Sequence, residues 1–235
     1  MRILAVDSTA VSASCAILDS GKITAEYFIN TALTHSQTLL PMIDGMLKSC
    51  SLSASEIDLF AVNNGPGSFT GVRIGVAAVK GLAFATQKPC VAVPTLEAIA
   101  EGMRPPVGDY IICAAMDARC SQVYNALFES TDGELHRLSE DRAITLEELE
   151  KELKNAKKPV FAVGDGAILC YNYCLEAGTE INLPAPDRIY QRASATAIVA
   201  QRLFDDGKAV SAGELEISYL RLPQATRELL KRQKG

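Results

Sequence analysis

Residues 65–75 read Gly-Pro-Gly-Ser-Phe-Thr-Gly-Val-Arg-Ile-Gly, and this stretch marks the passage from a loop into a helix. The Gly and Pro residues at its start are typical of a loop, and Ser68 is a suitable cap for a helix over 69–85. Val follows Gly71 where a P-loop needs Lys, and position 70 is Thr where a dinucleotide fingerprint needs Gly. The stretch therefore predicts a loop-to-helix junction that is neither a P-loop nor a dinucleotide-binding fingerprint.

Small residues lie along one side of this predicted helix. Gly71 and Gly75 are four residues apart, and Ala78 follows on the same face. A Gly inside a helix costs up to ~1 kcal/mol relative to Ala, so two of them require a packing or functional reason. A stripe of small residues lets another backbone approach closely. We expect close helix packing here, either within the chain or across an interface.

Upstream of this stretch, the pattern of apolar residues predicts an antiparallel meander and then a helix. The three strands of the meander are residues 2–6, 12–18 and 22–30. Thr34 and Gln37 have the spacing of a capping box, and apolar residues recur at helical intervals over 35–49. A second capping box, Ser53 to Glu56, precedes a strand over 58–63.

The same plan recurs along the chain and predicts two related α/β units. A strand over 90–93 and a helix that begins at Pro94-Thr95 complete a first unit of residues 1–103. The Pro- and Gly-rich connector 103–108 is the predicted boundary. The second unit, 109–215, has predicted strands over 109–116, 122–129, 134–138 and 159–163, and helices that begin at Thr145 and span 167–177 and 194–206. A basic helix over 223–235 is expected to join the first unit.

Composition and charge exclude several classes of protein. Of 235 residues, 48% are apolar and 22% charged, which is the balance of an ordinary globular protein. The formal net charge of -5 disfavours unaided binding of nucleic acid, which needs clustered Lys and Arg. No apolar run approaches the ~20 residues of a membrane span, and the seven cysteines include no Cys-x-x-Cys pair. We expect a cytoplasmic protein with reduced thiols and no membrane contact.

Two polar features are candidate sites by residue type. Asp7, Ser8 and Thr9 follow the first predicted strand, where such a turn offers backbone N–H groups and hydroxyls to a phosphate. The same residue types also form polar turns that bind nothing, so both interpretations stay open. The two histidines, His35 and His136, form no metal-binding pattern. No metal site, cofactor or catalytic residue is predicted.

Four segments together closely resemble the TsaB family, also called YeaZ. They are Asp7-Ser8-Thr9, the stretch 65–75, Met116-Asp117-Ala118-Arg119 and Tyr219-Leu220-Arg221. The resemblance spans nearly the whole chain, and 65–75 is its most specific part. It implies the fold of actin, Hsp70 and sugar kinases (ASKHA), with two duplicated α/β domains, each a mixed sheet flanked by helices. The turn at Asp7 would then be a remnant of a phosphate loop.

The resemblance implies a role in making threonylcarbamoyladenosine (t6A) at position 37 of tRNAs that read codons starting with A. TsaB proteins are non-catalytic relatives of the transferase TsaD, pair with it through two N-terminal helices, and work with the ATPase TsaE. The His-x-x-x-His metal pair of the catalytic relative falls by pattern on Thr95 and Ile99 here, and neither residue replaces imidazole. The resemblance thus implies a pseudo-enzyme subunit that contacts tRNA only through the complex.

The expected partner interface lies on the helices over 35–49 and 69–85, and the same patch would form a homodimer when the partner is absent. Its predicted residues are Leu39, Leu40, Ile43, Met46, Leu47, Ser68, Phe69, Gly71, Val72, Arg73, Gly75 and Val76.

Two other functions are alternatives to a scaffold role. An ATP-using phosphotransferase of the same superfold would need phosphate loops in both halves, and the second half offers Asp117-Ala118-Arg119 without a Gly-rich loop. A metallopeptidase would need metal ligands that the two histidines do not supply.

Overall fold

The structure, a computed structural model, describes residues 1–31, 33–104 and 108–221. Two five-stranded sheets organise these residues. The first sheet has the order β3-β2-β1-β4-β5. Its strands are β1 Arg2–Asp7, β2 Ala13–Asp19, β3 Lys22–Ile29, β4 Leu59–Gly65 and β5 Cys90–Pro94. The predicted meander is confirmed, because β1, β2 and β3 pair antiparallel, whereas β4 and β5 add in parallel.

The second sheet has the order β10-β6-β7-β8, with β9 paired to β7. Its strands are β6 Tyr110–Asp117, β7 Gln122–Thr131, β8 Glu134–Arg137, β9 Arg142–Thr145 and β10 Val160–Val163. Strand β10 is parallel to β6, and the other pairs are antiparallel. Strand β9 was not predicted, since its four residues show too little alternation to stand out from the surrounding loop.

Six α-helices cover the sheets: α1 His35–Ser49, α2 Phe69–Thr86, α3 Thr95–Met103, α4 Leu146–Leu153, α5 Ala167–Glu176 and α6 Ala193–Asp205. Short 3-10 helices span Ala54–Glu56 and Pro186–Arg188. Helices α1 and α2 pack on the outer face of the first sheet, and α4 and α5 on the outer face of the second. Both predicted helices of the expected interface are present at nearly the predicted bounds.

Helices α3 and α6 fill the space between the sheets and pack on each other. Helix α6 lies on the first sheet, where Ala197 and Ala200 meet Ile3 and Ala5. Helix α3 packs on the second sheet, where Leu96 and other apolar residues meet that sheet's inner face. Each predicted unit therefore lends one helix to the other. The boundary at 103–108 stays a prediction, and the predicted helix 223–235 lies outside the described residues.

The predicted helix caps have mixed outcomes. The helix that begins at Thr145 has a complete capping box with Glu148. At Ser53 only half of the predicted box forms, because the Glu56 carboxylate accepts the Ser53 N–H whereas the Glu56 N–H donates to the Ser53 carbonyl. The Ser68 side chain accepts a hydrogen bond from the Gly71 N–H at 3.3 Å, as predicted. The capping box at Thr34 is wrong, because the Thr34 side chain makes no capping bond and its backbone carbonyl takes the Gln37 N–H instead.

Candidate functional site

The turn that follows β1 is buried and satisfies its own side chains. The Asp7 carboxylate accepts hydrogen bonds from the Thr9 N–H at 2.9 Å, from the Thr9 hydroxyl and from the Asn63 amide. Burial raises the pKa of the Asp7 carboxyl, and these bonds offset part of that rise. The Ser8 hydroxyl donates to the Gly71 carbonyl at 2.9 Å. Each side chain of the expected phosphate-loop remnant is therefore engaged inside the chain.

The loop that begins at Gly65 lies directly on this turn. The Ser68 N–H donates to the Thr9 carbonyl at 2.7 Å. A Cβ at Gly67 would stand 2.6 Å from that same carbonyl oxygen. Glycine at position 67 thus permits the close approach of this loop to the turn.

The Gly71 and Gly75 stripe faces inward, so its expected place in a partner interface is wrong. A Cβ at Gly71 would overlap the Ser8 carbonyl oxygen, and one at Gly75 would lie 2.5 Å from the Ser8 hydroxyl and 3.3 Å from Val62. The small residues let α2 pack directly against the turn that follows β1. Of the two explanations weighed for this stripe, packing within the chain is the one the contacts support.

Most of the other predicted interface residues also lie inside. Leu39, Ile43, Met46, Leu47, Val72 and Val76 all belong to the core between α1, α2 and the first sheet. They are too buried to meet a partner. Leu40, which is 53% exposed, Ser68 and Arg73 are the predicted residues that face outward, and Phe69 is half-buried.

Helix α2 carries a second row of residues on its outer side. Thr70, Arg73, Ala77, Gly81 and Phe84 are exposed, and Phe84 is 72% exposed. A Cβ at Gly81 would meet nothing within 4 Å. Most of this row is small or apolar, although it borders solvent. Sequence reasoning missed Ala77, Gly81 and Phe84, although they follow Arg73 at intervals of four, four and three residues, which place them on one side of a helix.

Helix α2 is apolar on both sides. Among the helices that the structure describes, it is the one long and apolar enough to cross a membrane by length and composition, with a mean hydropathy of 1.3 and 33% of its residues buried. Its inner side packs on the first sheet. A helix with both a core face and an exposed apolar face is typical of a protein–protein interface.

The segment after α6 returns to the start of α2. The Tyr219 ring lies 5.3 Å from the Phe69 ring, and the Arg73 Nε donates to the Tyr219 hydroxyl at 2.8 Å. The Arg73 guanidinium also stands 3.7 Å from the centre of the Phe69 ring. Two residues further on, the Arg221 Nη2 donates to Gln122 at the start of β7. This segment therefore connects the outer side of α2 with the second sheet.

A cleft of about 540 Å³ opens between the two sheets beside this segment. Its wall includes Ser12, Asp117, Arg119, Asp165 and Arg221. Burial raises the pKa of Asp165 to about 7, with a further contribution from the negative charge of Asp117. Asp165 lies in the Gly-Asp-Gly turn that connects β10 with α5.

The two positions that match the metal pair of the catalytic relative hold buried residues that stabilise the fold. Thr95 is fully buried, and its hydroxyl accepts the Gly65 N–H at 3.2 Å. Ile99 is buried in the core between α3 and the second sheet. Within residues 1–31, 33–104 and 108–221, no three His, Cys, Asp or Glu side chains are grouped to hold a metal ion.

Comparisons with known proteins found similar sequences. The model of the family described as TsaD, tRNA N6-adenosine threonylcarbamoyltransferase, matches residues 24–197. The Escherichia coli tRNA threonylcarbamoyladenosine biosynthesis protein TsaB is 31% identical, over 97% of this chain and 98% of its own. The Bacillus subtilis protein of the same name is 30% identical over the full length of both chains.

A solved structure shares the fold. A Pseudomonas aeruginosa protein described as similar to the peptidase YeaZ superposes with a TM-score of 0.78 at 27% identity, over 94% of this chain and 99% of its own. The predicted fold class, ASKHA-like α/β with mixed sheets flanked by helices, is confirmed.

Proposed function

We propose that this chain, which belongs to the TsaB family, is a non-catalytic subunit that supports t6A formation by pairing with a TsaD-type transferase. A part in t6A biosynthesis follows from the family. The modified position would be 37 in tRNAs that read codons starting with A. The work would take place in the cytoplasm, with no membrane contact.

The exposed apolar side of α2 is the observation that carries the pairing. Ala77 and Gly81 leave a shallow surface along this helix, and Phe84 projects from its end. The neighbouring α1 adds Leu40, which is 53% exposed. Removing apolar surface of this kind from water stabilises the complex with a partner. A helix of the partner can approach closely at Gly81, where a Cβ would find open space.

The partner surface would be the corresponding two helices of the transferase, related by a pseudo-two-fold axis. Because such a surface is self-complementary, the chain alone would form a homodimer through the same face. A TsaE-like ATPase would join the complex, and tRNA would be held by the complex rather than by this acidic chain, whose net charge is -5.

A non-catalytic role is supported by what occupies the positions of the metal pair. Thr95 is committed to the Gly65 N–H, and Ile99 is an apolar core residue. Neither side chain supplies the nitrogen ligands that this chemistry needs. The chain would therefore bind and support the transferase, and the transferase would supply the groups that react.

The test measures t6A formation on purified tRNA with threonylcarbamoyl-adenylate as donor. We expect no t6A from this chain alone and a marked increase when it is added to the matching TsaD with the ATPase present. Turnover by this chain without TsaD would contradict the non-catalytic role. Full activity of TsaD without this chain would contradict the role as a required subunit.

A further inference from the structure

Three buried polar atoms line the cleft without a hydrogen-bond partner among the described residues. They are the Ser12 hydroxyl oxygen, the Asp165 Oδ1 and the Arg221 Nη1. Ser12 is only 2% exposed. Folded proteins rarely leave buried polar atoms unpaired, because each loses its hydrogen bonds to water. Asp165 also has the buried Gln191 side chain beside it. The three unpartnered atoms, from three different segments around one cleft, point to a ligand that satisfies them together.

The chemistry of these atoms is of two kinds. A guanidinium nitrogen only donates hydrogen bonds, so Arg221 requires an acceptor, and the Ser12 hydroxyl in the same wall is also able to donate. The Asp165 carboxyl, whose pKa is raised to about 7, is ionised above that pH and then only accepts, so it requires a donor. The matching ligand carries an anionic group at one end and a cationic or neutral donor at the other.

The charges of the wall favour a ligand with no net charge. Two carboxylates, Asp117 and Asp165, are balanced by two guanidinium groups, Arg119 and Arg221. A polyphosphate would face both carboxylates, and no group of carboxylates and imidazoles in the described part of the chain is arranged to hold a compensating metal.

Part of the remaining wall is apolar or aromatic. Phe69, Val72, Met116, Tyr124 and Tyr190 contribute to it. Such a surface accommodates an uncharged side chain between two charged ends.

We propose that this cleft binds a small zwitterion of the α-amino-acid class, with its carboxylate at Arg221 and Ser12 and its ammonium group at Asp165. The proposal goes beyond the pairing with a transferase and does not depend on it, because all three segments belong to this chain.

The test uses the full chain alone, without TsaD. Each of the twenty standard L-amino acids is added and the melting temperature is recorded, and any stabilising amino acid is then titrated by calorimetry. We expect at least one to bind saturably, and its carboxamide and N-acetyl derivatives to bind at least about tenfold more weakly, since each lacks one charge.

Variants locate the site. Ser12→Ala and Asp165→Asn should each weaken binding by about tenfold or more, whereas Asp206→Asn, an exposed aspartate at the end of α6, should bind as the parent does. Heteronuclear spectra of each variant confirm that it is folded. No binding by any amino acid, equal binding of the N-acetyl derivative, or unchanged binding by Asp165→Asn would each overturn the proposal.

Discussion

The Gly75 α-carbon faces the Ser8 hydroxyl so closely that a Cβ on Gly75 would lie 2.5 Å from the Ser8 oxygen. This contact brings the start of α2 onto the turn after β1, and the adjacent hydrogen bond from Ser8 to the Gly71 carbonyl holds it there. The inner side of α2 is therefore buried against the first sheet and the turn at Ser8. A partner therefore has access to the opposite side of the helix, along Arg73, Ala77, Gly81 and Phe84.

Gly75→Ala should destabilise the chain by ~1–3 kcal/mol. The added methyl group would overlap the Ser8 hydroxyl, which its hydrogen bond to the Gly71 carbonyl holds in place. Gly81→Ala is the matched control in the same helix. Its Cβ points into open space, so it should be neutral or stabilising by up to ~1 kcal/mol. Urea denaturation of both variants measures the difference. Equal effects at the two positions would show that the inner contact does not constrain position 75.

Asp165→Asn should stabilise the chain in a pH-dependent way. Burial raises the pKa of Asp165 from 3.8 to about 7, so the folded state binds a proton more readily than the unfolded state. The contribution of this group to stability therefore falls as pH rises from about 4 to about 7. At pH 8 the asparagine variant should be more stable by roughly 2–4 kcal/mol, and the gain should vanish near pH 4.

Melting curves of the parent and the Asp165→Asn variant across this pH range make the comparison. A gain that stays constant with pH would contradict the assigned titration. A loss of stability at pH 8 would show that the carboxylate is held by favourable contacts rather than penalised by burial.

Tyr219→Phe should cost about 0.5–1.5 kcal/mol, the usual net value of one hydrogen bond, because it removes the bond from Arg73 and keeps the ring on Phe69. Tyr219→Ala removes the ring as well and should cost more. Denaturant titration of the two variants separates the hydrogen bond from the aromatic contact. If Tyr219→Ala were no more costly than Tyr219→Phe, the stacking on Phe69 would contribute nothing.

The sequence predicted the elements better than their orientation. Apolar periodicity placed α1 at 35–49, the same bounds as in the structure, because one side of that helix is apolar and the other is polar. Helix α2 is apolar on both sides, so its periodicity shows which residues share a face and leaves open which face is buried. For this reason, periodicity alone did not exclude Gly71 and Gly75 from a partner interface.

The candidate cleft was the hardest part to predict. Ser12, Asp165 and Arg221 are separated by more than 50 residues in each step along the chain, and only the packing of α3 and α6 between the sheets brings their segments to one cleft. Each residue alone is typical of a turn or an exposed surface. By contrast, the absence of the metal pair was visible at Thr95 and Ile99, since residue type alone decided it.

Phe84→Arg tests the central claim most directly, because it places a charge on the exposed apolar side of α2 without touching the core. Co-elution with the matching TsaD on size exclusion is the measurement, with Leu175→Arg on α5, also an exposed apolar residue, as the matched control. We expect Phe84→Arg to fold with a parent-like melting temperature and to lose pairing by at least about tenfold, and Leu175→Arg to pair normally. A folded Phe84→Arg variant that pairs with parental affinity would contradict the account.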